Sequence, residues 1–536
     1  MAFPCNIRLL GCIAILLSLA PWSVHASAPT VEVNGTDIIG TVQTSTSVDN
    51  TTVEFFGGIP FAQPPVGVLR FASPVELDSL GVPTFNATTF GPPASSPIPG
   101  IYGGGFNSGL SAAYDATNIV GQSLLRETPV IYVSINYRVG PFGFPQGTEA
   151  GLLGAVNLGL RDQLAAISWV QKHISAFGGD PTKVTLFGQD AGAMSIGHLF
   201  LNAGLENYGV RGVIMESGSS GSLPLFDSSR RDLVWDAFAA NISACAGVLR
   251  GSTSPCLRCA PTSALLSSWE AAAAVLPDLD LFVPVLDGPD GLIPDLPSAL
   301  LAAGRVSKIP FISGTSFVPQ ALSNPIHLFE FFPAAEFPYP QTYSPQFRQD
   351  IQGLLIQYYN DPDLRSPFGT GNETFGTGDL YKLAAASFGD ITFEAPRRQW
   401  TQAAAAAAAG VTVYSYVFAD QNVAVADPSL GVRHGSELPY VYGFSNIETS
   451  SLESVLVSRA MVDYWLSFVA SGTPNDGKGL TRTIWPNYES DNQVLIQFDT
   501  ASIASGSSNA TFAIVADDYR AVPISFINSV ATDFNQ

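Results

Sequence analysis

Short apolar runs alternate with longer stretches of helical periodicity through the middle of the chain. Val130 to Asn136 is nearly continuous in apolar residues, which is typical of a strand buried in a parallel sheet. Leu160 to His173 instead places apolar residues at helical spacing. Further strands are predicted at Val184 to Phe187, Val213 to Met215 and Ile309 to Ser313. This repeated order predicts an α/β fold, with a mostly parallel central sheet and helices on both faces.

The outer parts of the chain add a few more elements. Val31 to Thr36 contains an Asn-Gly pair, which favours a turn between two strands. The polyalanine run Ala403 to Ala409 predicts a helix that stops at Gly410, and Val411 to Phe418 predicts a strand.

Length and charge limit the classes of function. The chain has 536 residues, of which 46% are hydrophobic, so it can bury a large core. We expect one elaborated α/β domain over residues 27–536. The net charge is −21 and basic residues form no cluster, which disfavours nucleic acids and anionic membranes as partners.

The first 26 residues are predicted to be a signal peptide. Arg8 supplies the positive charge, Leu9 to Ala20 the apolar run, and Val24 to Ala26 a cleavage site. The apolar run is shorter than the roughly 20 residues that cross a bilayer, so no transmembrane segment is expected. The predicted location is therefore extracellular.

A tight turn between a strand and a helix carries the candidate chemistry. Gly188 and Gly192 lack the Cβ atoms that would clash there, so Asp190 between them points out of the turn. The N-terminus of the following helix favours negative charge at this point. Most such nucleophile elbows carry serine, and this one carries aspartate.

The elbow and its flanks resemble the signature of the type-B carboxylesterase/lipase family. FGGDP at 177–181 and VTLFGQDAG at 184–192 match the family pattern, except that its Glu-Ser pair is here Gln189-Asp190. Residues 55–71, 136–140 and 434–440 also resemble family segments, as do the regions from Ser458 (last helix) and Ile484 (last strand). The resemblance implies the α/β-hydrolase fold and descent from serine-dependent carboxylic ester hydrolases.

The same resemblance assigns roles to several site residues. It implies that the backbone amides of Gly104, Gly105 and Ala191 form an oxyanion hole, since consecutive glycines let N–H groups face a substrate oxygen. His434 stands at the position of the catalytic histidine. Glu437, three residues later, is expected to brace the histidine loop rather than act chemically.

The catalytic acid is not identified. In relatives an acidic residue follows the strand that corresponds to Ile309–Ser313, whereas Gly314 to Pro319 contains none. Asp287, Asp290 and Glu330 are alternatives, but carboxylates in turns or at the surface are far commoner, so we assign none of them.

A second interval is also shorter than in the family. Gly91 to Ile101 is Pro- and Ser-rich, and such a stretch cannot provide the two sheet strands that relatives have before the glycine loop. The first cysteine loop of the family and a strand segment are therefore expected to be missing.

Cysteines and sequons fit an oxidising compartment. By resemblance to the family, Cys245 and Cys256 are expected to form a disulfide, which leaves Cys259 unpaired. Six asparagines stand in N-x-S/T sequons and are candidates for glycosylation: Asn34, Asn50, Asn86, Asn241, Asn372 and Asn509.

Three functions remain open. The chain is a secreted carboxylesterase by ancestry whose activity on small or lipid esters is impaired, an Asp-nucleophile hydrolase acting on alkyl carbon, or a binding protein on an esterase scaffold. None of these requires a metal or other cofactor. The missing acid weakens both enzymatic hypotheses, because each needs an activated histidine.

Overall fold

A computed structural model describes most of the chain. The described residues are 14–18, 28–45, 48–90, 104–202, 204–275, 281–316, 345–359, 371–376, 381–407, 411–443 and 451–536. The shortened interval after Gly91, the candidate acid Glu330 and the predicted helix stop at Gly410 lie outside these residues.

The described residues contain thirteen strands. In chain order these are β1 Ala14–Ser18, β2 Thr30–Val33, β3 Thr36–Ile39, β4 Thr41–Ser45, β5 Thr51–Phe55, β6 Thr84–Asn86, β7 Val130–Ser134, β8 Val184–Gln189, β9 Val210–Glu216, β10 Phe311–Ser316, β11 Val413–Phe418, β12 Val494–Phe498 and β13 Ala513–Ala516.

The α-helices of the same residues are α1 Thr117–Leu125, α2 Gly140–Gly143, α3 Gly147–Leu152, α4 Leu158–His173, α5 Ala191–Asn202, α6 Asp232–Ala240, α7 Ser254–Cys259, α8 Thr262–Val275, α9 Pro297–Ala302, α10 Pro345–Tyr358, α11 Tyr381–Gly389, α12 Ala395–Ala407, α13 Leu438–Tyr442, α14 Leu452–Ser471 and α15 Ala521–Ser529. A π-helical turn, Asp390–Glu394, joins α11 to α12.

The main sheet is mostly parallel, as the sequence predicts. Its eight strands lie in the order β13-β12-β11-β10-β9-β8-β1-β7. The pairs from β8 through β12 are parallel, β13 is antiparallel to β12, and β1 is antiparallel to both of its neighbours. The predicted strands at β7, β8, β9, β10 and β11 are all present.

Helices cover both faces of this sheet because side chains alternate between two cores. Leu186 of β8 and Val213 of β9 lie in a core with residues of α4, α5 and α12. Their neighbours Phe187 and Ile214 lie in a second core with residues of α1, α13 and α14. Every residue of β8 is buried, as expected for a strand inside a doubly covered sheet.

Two predictions near the chain ends have opposite outcomes. The expected Asn-Gly turn joins β2 to β3, with Val33 paired to Thr36. The expected last strand at Ile484 is wrong, since 484–488 forms no strand. The backbone of Trp485 is bonded to the side chain of Asn475 (2.9 and 2.7 Å), and Pro486 has no N–H for a ladder.

The β7 end of the sheet departs from the predicted arrangement. β1 comes from within the predicted signal peptide and lies between β7 and β8. No strand of the described residues pairs with the other edge of β7. A cavity of about 460 Å³ lies along β7, lined by rings that include Phe55, Phe61 and Trp169.

Candidate active site

The elbow places Asp190 between a buried strand and a buried helix. β8 ends at Gln189 and α5 begins at Ala191, so Asp190 itself takes a left-handed conformation with φ +53°. Such a conformation is strained for a residue with a side chain and is common at functional turns. A Cβ atom on Gly188 would lie 2.6 Å from the carbonyl carbon of Gly192, which explains the glycine.

Both carboxylate oxygens of Asp190 have partners. Oδ2 accepts a hydrogen bond from the backbone N–H of Gly105 at 3.2 Å, and the backbone amide of Ala191 also donates to the carboxylate. Oδ1 lies 3.2 Å from Nε2 of His434. The carboxylate therefore occupies two of the amides that the sequence assigns to an oxyanion hole.

Gly104 shapes the loop that carries Gly105. Its φ is +77°, and its carbonyl accepts hydrogen bonds from the backbone N–H groups of Asn107 (2.7 Å) and Ser108 (3.0 Å). A Cβ atom at this position would lie 2.6 Å from the carbonyl oxygen of Ser108. The role of its own N–H as a third oxyanion donor stays a prediction.

The imidazole of His434 is held from two sides. It stacks on Phe393, with ring centroids 4.4 Å apart and planes 23° apart. The side-chain amide nitrogen of Gln189 is 3.2 Å from Nε2, while its Oε1 is buried without a partner. Rotating the amide by 180° exchanges these two atoms and makes Oε1 a second acceptor for the Nε2–H.

The opposite side of the imidazole is not paired. Nδ1 of His434 is buried and has no hydrogen-bond partner among the described residues. In a hydrolytic triad this nitrogen donates to the acid, which fixes the ring and stabilises its positive form. Within the described part of the chain, the only carboxylate that pairs with this histidine is that of Asp190.

Asp190 and His434 favour each other's charged forms. Burial opposes ionisation of Asp190, yet the hydrogen bond and charge of His434, with the Ala191 and Gly105 amides, hold the pKa of the carboxyl below its usual range. Burial likewise opposes protonation of His434, but the hydrogen bond and charge of Asp190, then the charge of Glu437, raise the pKa of the imidazole. The hydrogen bond and the opposite charges therefore favour an imidazolium–carboxylate pair over two neutral groups.

Two buried glutamates lie behind this pair. Glu437 accepts hydrogen bonds from Ser217 Oγ (2.9 Å) and Ser316 Oγ (2.8 Å), so it ties the histidine loop to the ends of β9 and β10. Glu216 accepts from Trp465 Nε1 at 2.7 Å. Burial and the charge of Glu437 raise the pKa of Glu216 well above its ordinary value, which favours the neutral form of this carboxyl.

Sequence reasoning missed Glu216 and Phe393 as parts of this site. The string Glu216-Ser217-Gly218 follows a predicted strand, and a carboxylate at the C-terminal end of a parallel strand was an available signal. Phe393 gave none, because its position depends on the π-helical turn Asp390–Glu394.

The alternative acids do not join the site. Asp287 accepts hydrogen bonds from the backbone N–H groups of Leu292 (3.1 Å) and Ile293 (2.7 Å), so it closes a turn. Asp290 is exposed in the same turn.

The expected disulfide between Cys245 and Cys256 is present, and Cys259 is free and exposed. All six sequon asparagines are exposed: Asn34, Asn50, Asn86, Asn241, Asn372 and Asn509. Among the described residues there is no metal-binding group of three or more His, Cys, Asp or Glu side chains. Nor does that part of the chain contain a helix long and apolar enough to cross a membrane.

Sequence similarity to known proteins extends over most of the chain. Residues 27–100 and 98–514 match the family profile described as "Carboxylesterase family". The two matched stretches meet inside the interval that the sequence indicates to be shortened. "Secreted lipase 1" of Botryotinia fuckeliana is 32% identical over 89% of this chain and 90% of its own length.

Two further proteins resemble the chain over nearly its whole length. "Secreted triacylglycerol lipase LIP1" of Gibberella zeae is 29% identical and covers 94% of this chain and 92% of its own. The fold superposes on the crystal structure of Aspergillus niger EstA with a TM-score of 0.75 and 22% identity, covering 96% of this chain and 100% of that one. The latter likeness supports the fold.

Proposed function

This chain belongs to the carboxylesterase family, within the α/β-hydrolase superfamily, and we propose that it is a secreted member whose ester hydrolysis is impaired. The observation behind the proposal is the position of the Asp190 carboxylate. One oxygen accepts a hydrogen bond from Gly105 N–H, and the other faces His434 Nε2. The amide that would stabilise a reacting ester and the histidine that would activate the nucleophile are therefore both occupied by this carboxylate.

The chemistry of each group supports impairment. A carboxylate is a poor nucleophile toward acyl carbon, and its acyl product would be a high-energy anhydride. Asp190 favours the protonated form of His434, and that form cannot accept a proton from water or a hydroxyl. Amides that hold a resident carboxylate are not available to a substrate oxyanion. Small or lipid esters therefore remain the substrate class implied by ancestry.

We predict that Asp190→Ser alone will not restore strong ester hydrolysis. The new hydroxyl would face His434, but Nδ1 of that histidine lacks an acid among the described residues. Loss of a triad member leaves a residual acceleration of about 10³–10⁴ over water. Turnover of p-nitrophenyl acetate and butyrate by Asp190→Ser should stay at this level, and Asp190→Ala is the matched control. Vigorous turnover by Asp190→Ser would show that another acid serves.

Covalent probes test the same proposal without a substitution. Ser195 and Ser217 are buried, and their hydroxyls donate to the Ala191 carbonyl (2.7 Å) and to Glu437 (2.9 Å). The natural protein should therefore resist a fluorophosphonate. Labelling that maps to either serine would contradict the proposal, since it would reveal a working nucleophile away from Asp190.

One observation favours an Asp-nucleophile hydrolase as the second candidate. The Gly105 amide holds Oδ2, whereas Oδ1 faces the side chain of His434, so Oδ1 would be the oxygen that attacks alkyl carbon. It would displace halide from a haloalkane, or open an epoxide while His434 donates a proton to the leaving oxygen. An alkyl ester mapped to Asp190 after incubation with either reagent would establish this candidate. An unmodified Asp190 would reject it.

Secretion and glycosylation complete the proposal. The two lipases named above are described as secreted, and the predicted signal peptide agrees with that location. Exposure of all six sequon asparagines supports glycosylation, which a mass shift on treatment with an N-glycosidase would measure.

A further inference from the structure

The strand β1 occupies an interior position of the main sheet. Its residues Ala14–Ser18 pair with Val130–Ser134 of β7 on one side, and Ala14–Leu16 pair with Thr185–Phe187 of β8 on the other. Leu16 is opposite Tyr132 and Thr185 at once. β1 is thus the direct neighbour of the strand that leads into the elbow.

Without β1 the sheet would contain an opening one strand wide. Neighbouring strands lie about 4.7–4.9 Å apart, so β7 and β8 would face each other across about 9–10 Å, too far for direct hydrogen bonds. β8 is buried along its full length, and a buried backbone group without a hydrogen-bond partner is strongly destabilising. Helices cover both faces of the sheet here, so water could not easily reach the unpaired backbone groups. A folded protein with this opening unfilled would therefore be unstable.

We propose that the opening between β7 and β8 is a strand-acceptor site, and that Ala14–Ser18 stays bound in it as a permanent part of the folded protein. The apolar run that is predicted to direct export would then have a second role as a sheet strand. This inference does not depend on the chemistry of Asp190, and either can fail without the other.

The sequence of the occupant suits the site. Residues 14–18 read AILLS, without proline, so the backbone can supply N–H groups to both neighbours. The sequence interval Gly91 to Ile101 is an alternative source of a strand, but it contains Pro92, Pro93, Pro97 and Pro99. Proline has no N–H and is excluded from central strands.

The first test is the composition of the secreted protein. The full chain would be secreted from a eukaryotic host and weighed by native and by denaturing mass spectrometry. We expect residues 14–18 in the native species, either still joined to the chain or as a cleaved peptide that denaturation releases. A folded protein that begins at Ser27 and carries no bound peptide would overturn the proposal.

The second test asks whether the strand pairing matters. Leu16→Pro removes an N–H at the centre of β1, and Leu10→Pro is the matched control in the same apolar run outside β1. We expect Leu16→Pro to melt several degrees lower and to lose hydrogen-exchange protection at Val130–Ser134 and Val184–Gln189, with no such change in the control. A synthetic peptide of residues 13–19 should restore that protection. Equal protection in both variants would overturn the proposal.

Discussion

At the level of single residues, the site is organised around one ion pair rather than a triad. Asp190 lies in the elbow, and its carboxylate contacts both the backbone amide of Gly105 and the imidazole of His434. A negatively charged side chain at this position reproduces the charge that develops in a serine esterase only during the reaction. The hydrogen bonds and the positive charge of the site therefore stabilise the folded protein instead of a transition state.

The pair should make stability depend on pH within a defined window. The raised pKa of His434 stabilises the fold fully below the unfolded histidine value of about 6.5, and this contribution disappears as pH rises through the folded pKa. The lowered pKa of Asp190 stabilises the fold above the unfolded aspartate value of about 3.9, and this is lost as pH falls through the folded pKa. Both contributions are complete between about pH 4 and pH 6.5.

We therefore predict that Asp190→Asn lowers the free energy of unfolding most within that window, by about 1–3 kcal/mol. Urea unfolding of the natural protein and the variant between pH 3 and pH 9 would measure the difference. Asp290→Asn, in an exposed turn, is the matched control and should change nothing. A constant difference for Asp190→Asn across the whole range would refute the ion pair.

At the level of elements, the elbow depends on close contact between β8 and α5. A Cβ atom on Gly188 would meet backbone atoms of Gly192 and Ala193 at 2.6–2.8 Å, and backbone cannot move aside as a flexible side chain can. Gly188→Ala should therefore destabilise the protein by about 1–3 kcal/mol or more. Gly353→Ala in α10, where the added Cβ meets nothing within 4 Å, should stabilise by about 0.5–1 kcal/mol. Similar melting temperatures for the two variants would contradict this.

Elements with a strong local pattern were predictable, and those determined by distant contacts were not. The apolar run of β8 and the flanking glycines indicated the elbow. The helical spacing of apolar residues between Leu160 and His173 indicated α4. The strand predicted at Ile484 failed because a side chain, Asn475, takes the hydrogen bonds of its backbone. The stacking of Phe393 on His434 also arises from tertiary packing, which no periodicity reveals.

At the level of the whole molecule, the sheet ends at β7 without a further strand among the described residues. β7 has an apolar sequence typical of an interior strand, yet most of its residues are only half-buried and its outer edge has no strand partner among the described residues. The cavity of about 460 Å³ lies along this strand. The shortened interval after Gly91 would explain both features, because the resemblance to the family implies two strands there.

We predict that a version carrying a family-like two-strand insert after Gly91 will be secreted in higher yield and melt at a higher temperature than the natural chain. The insert would pair with β7 and remove exposed apolar surface, which otherwise favours aggregation. Differential scanning calorimetry and yield measure the outcome, and a Gly-Ser insert of equal length is the control. Equal yield and melting temperature for the natural chain and both insert variants would contradict the prediction, and would mean that the short interval does not destabilise the fold.

The place of β1 in the chain also has a consequence for the order of folding. Ala14 leaves the ribosome long before its partners Ser134 and Phe187 are synthesised. Contacts between residues so distant in sequence form slowly, since a long loop must close before any pairing energy is gained. The central sheet therefore cannot be completed until β8 has emerged, and until β7 is synthesised the apolar segment Ala14–Ser18 has no partner strand.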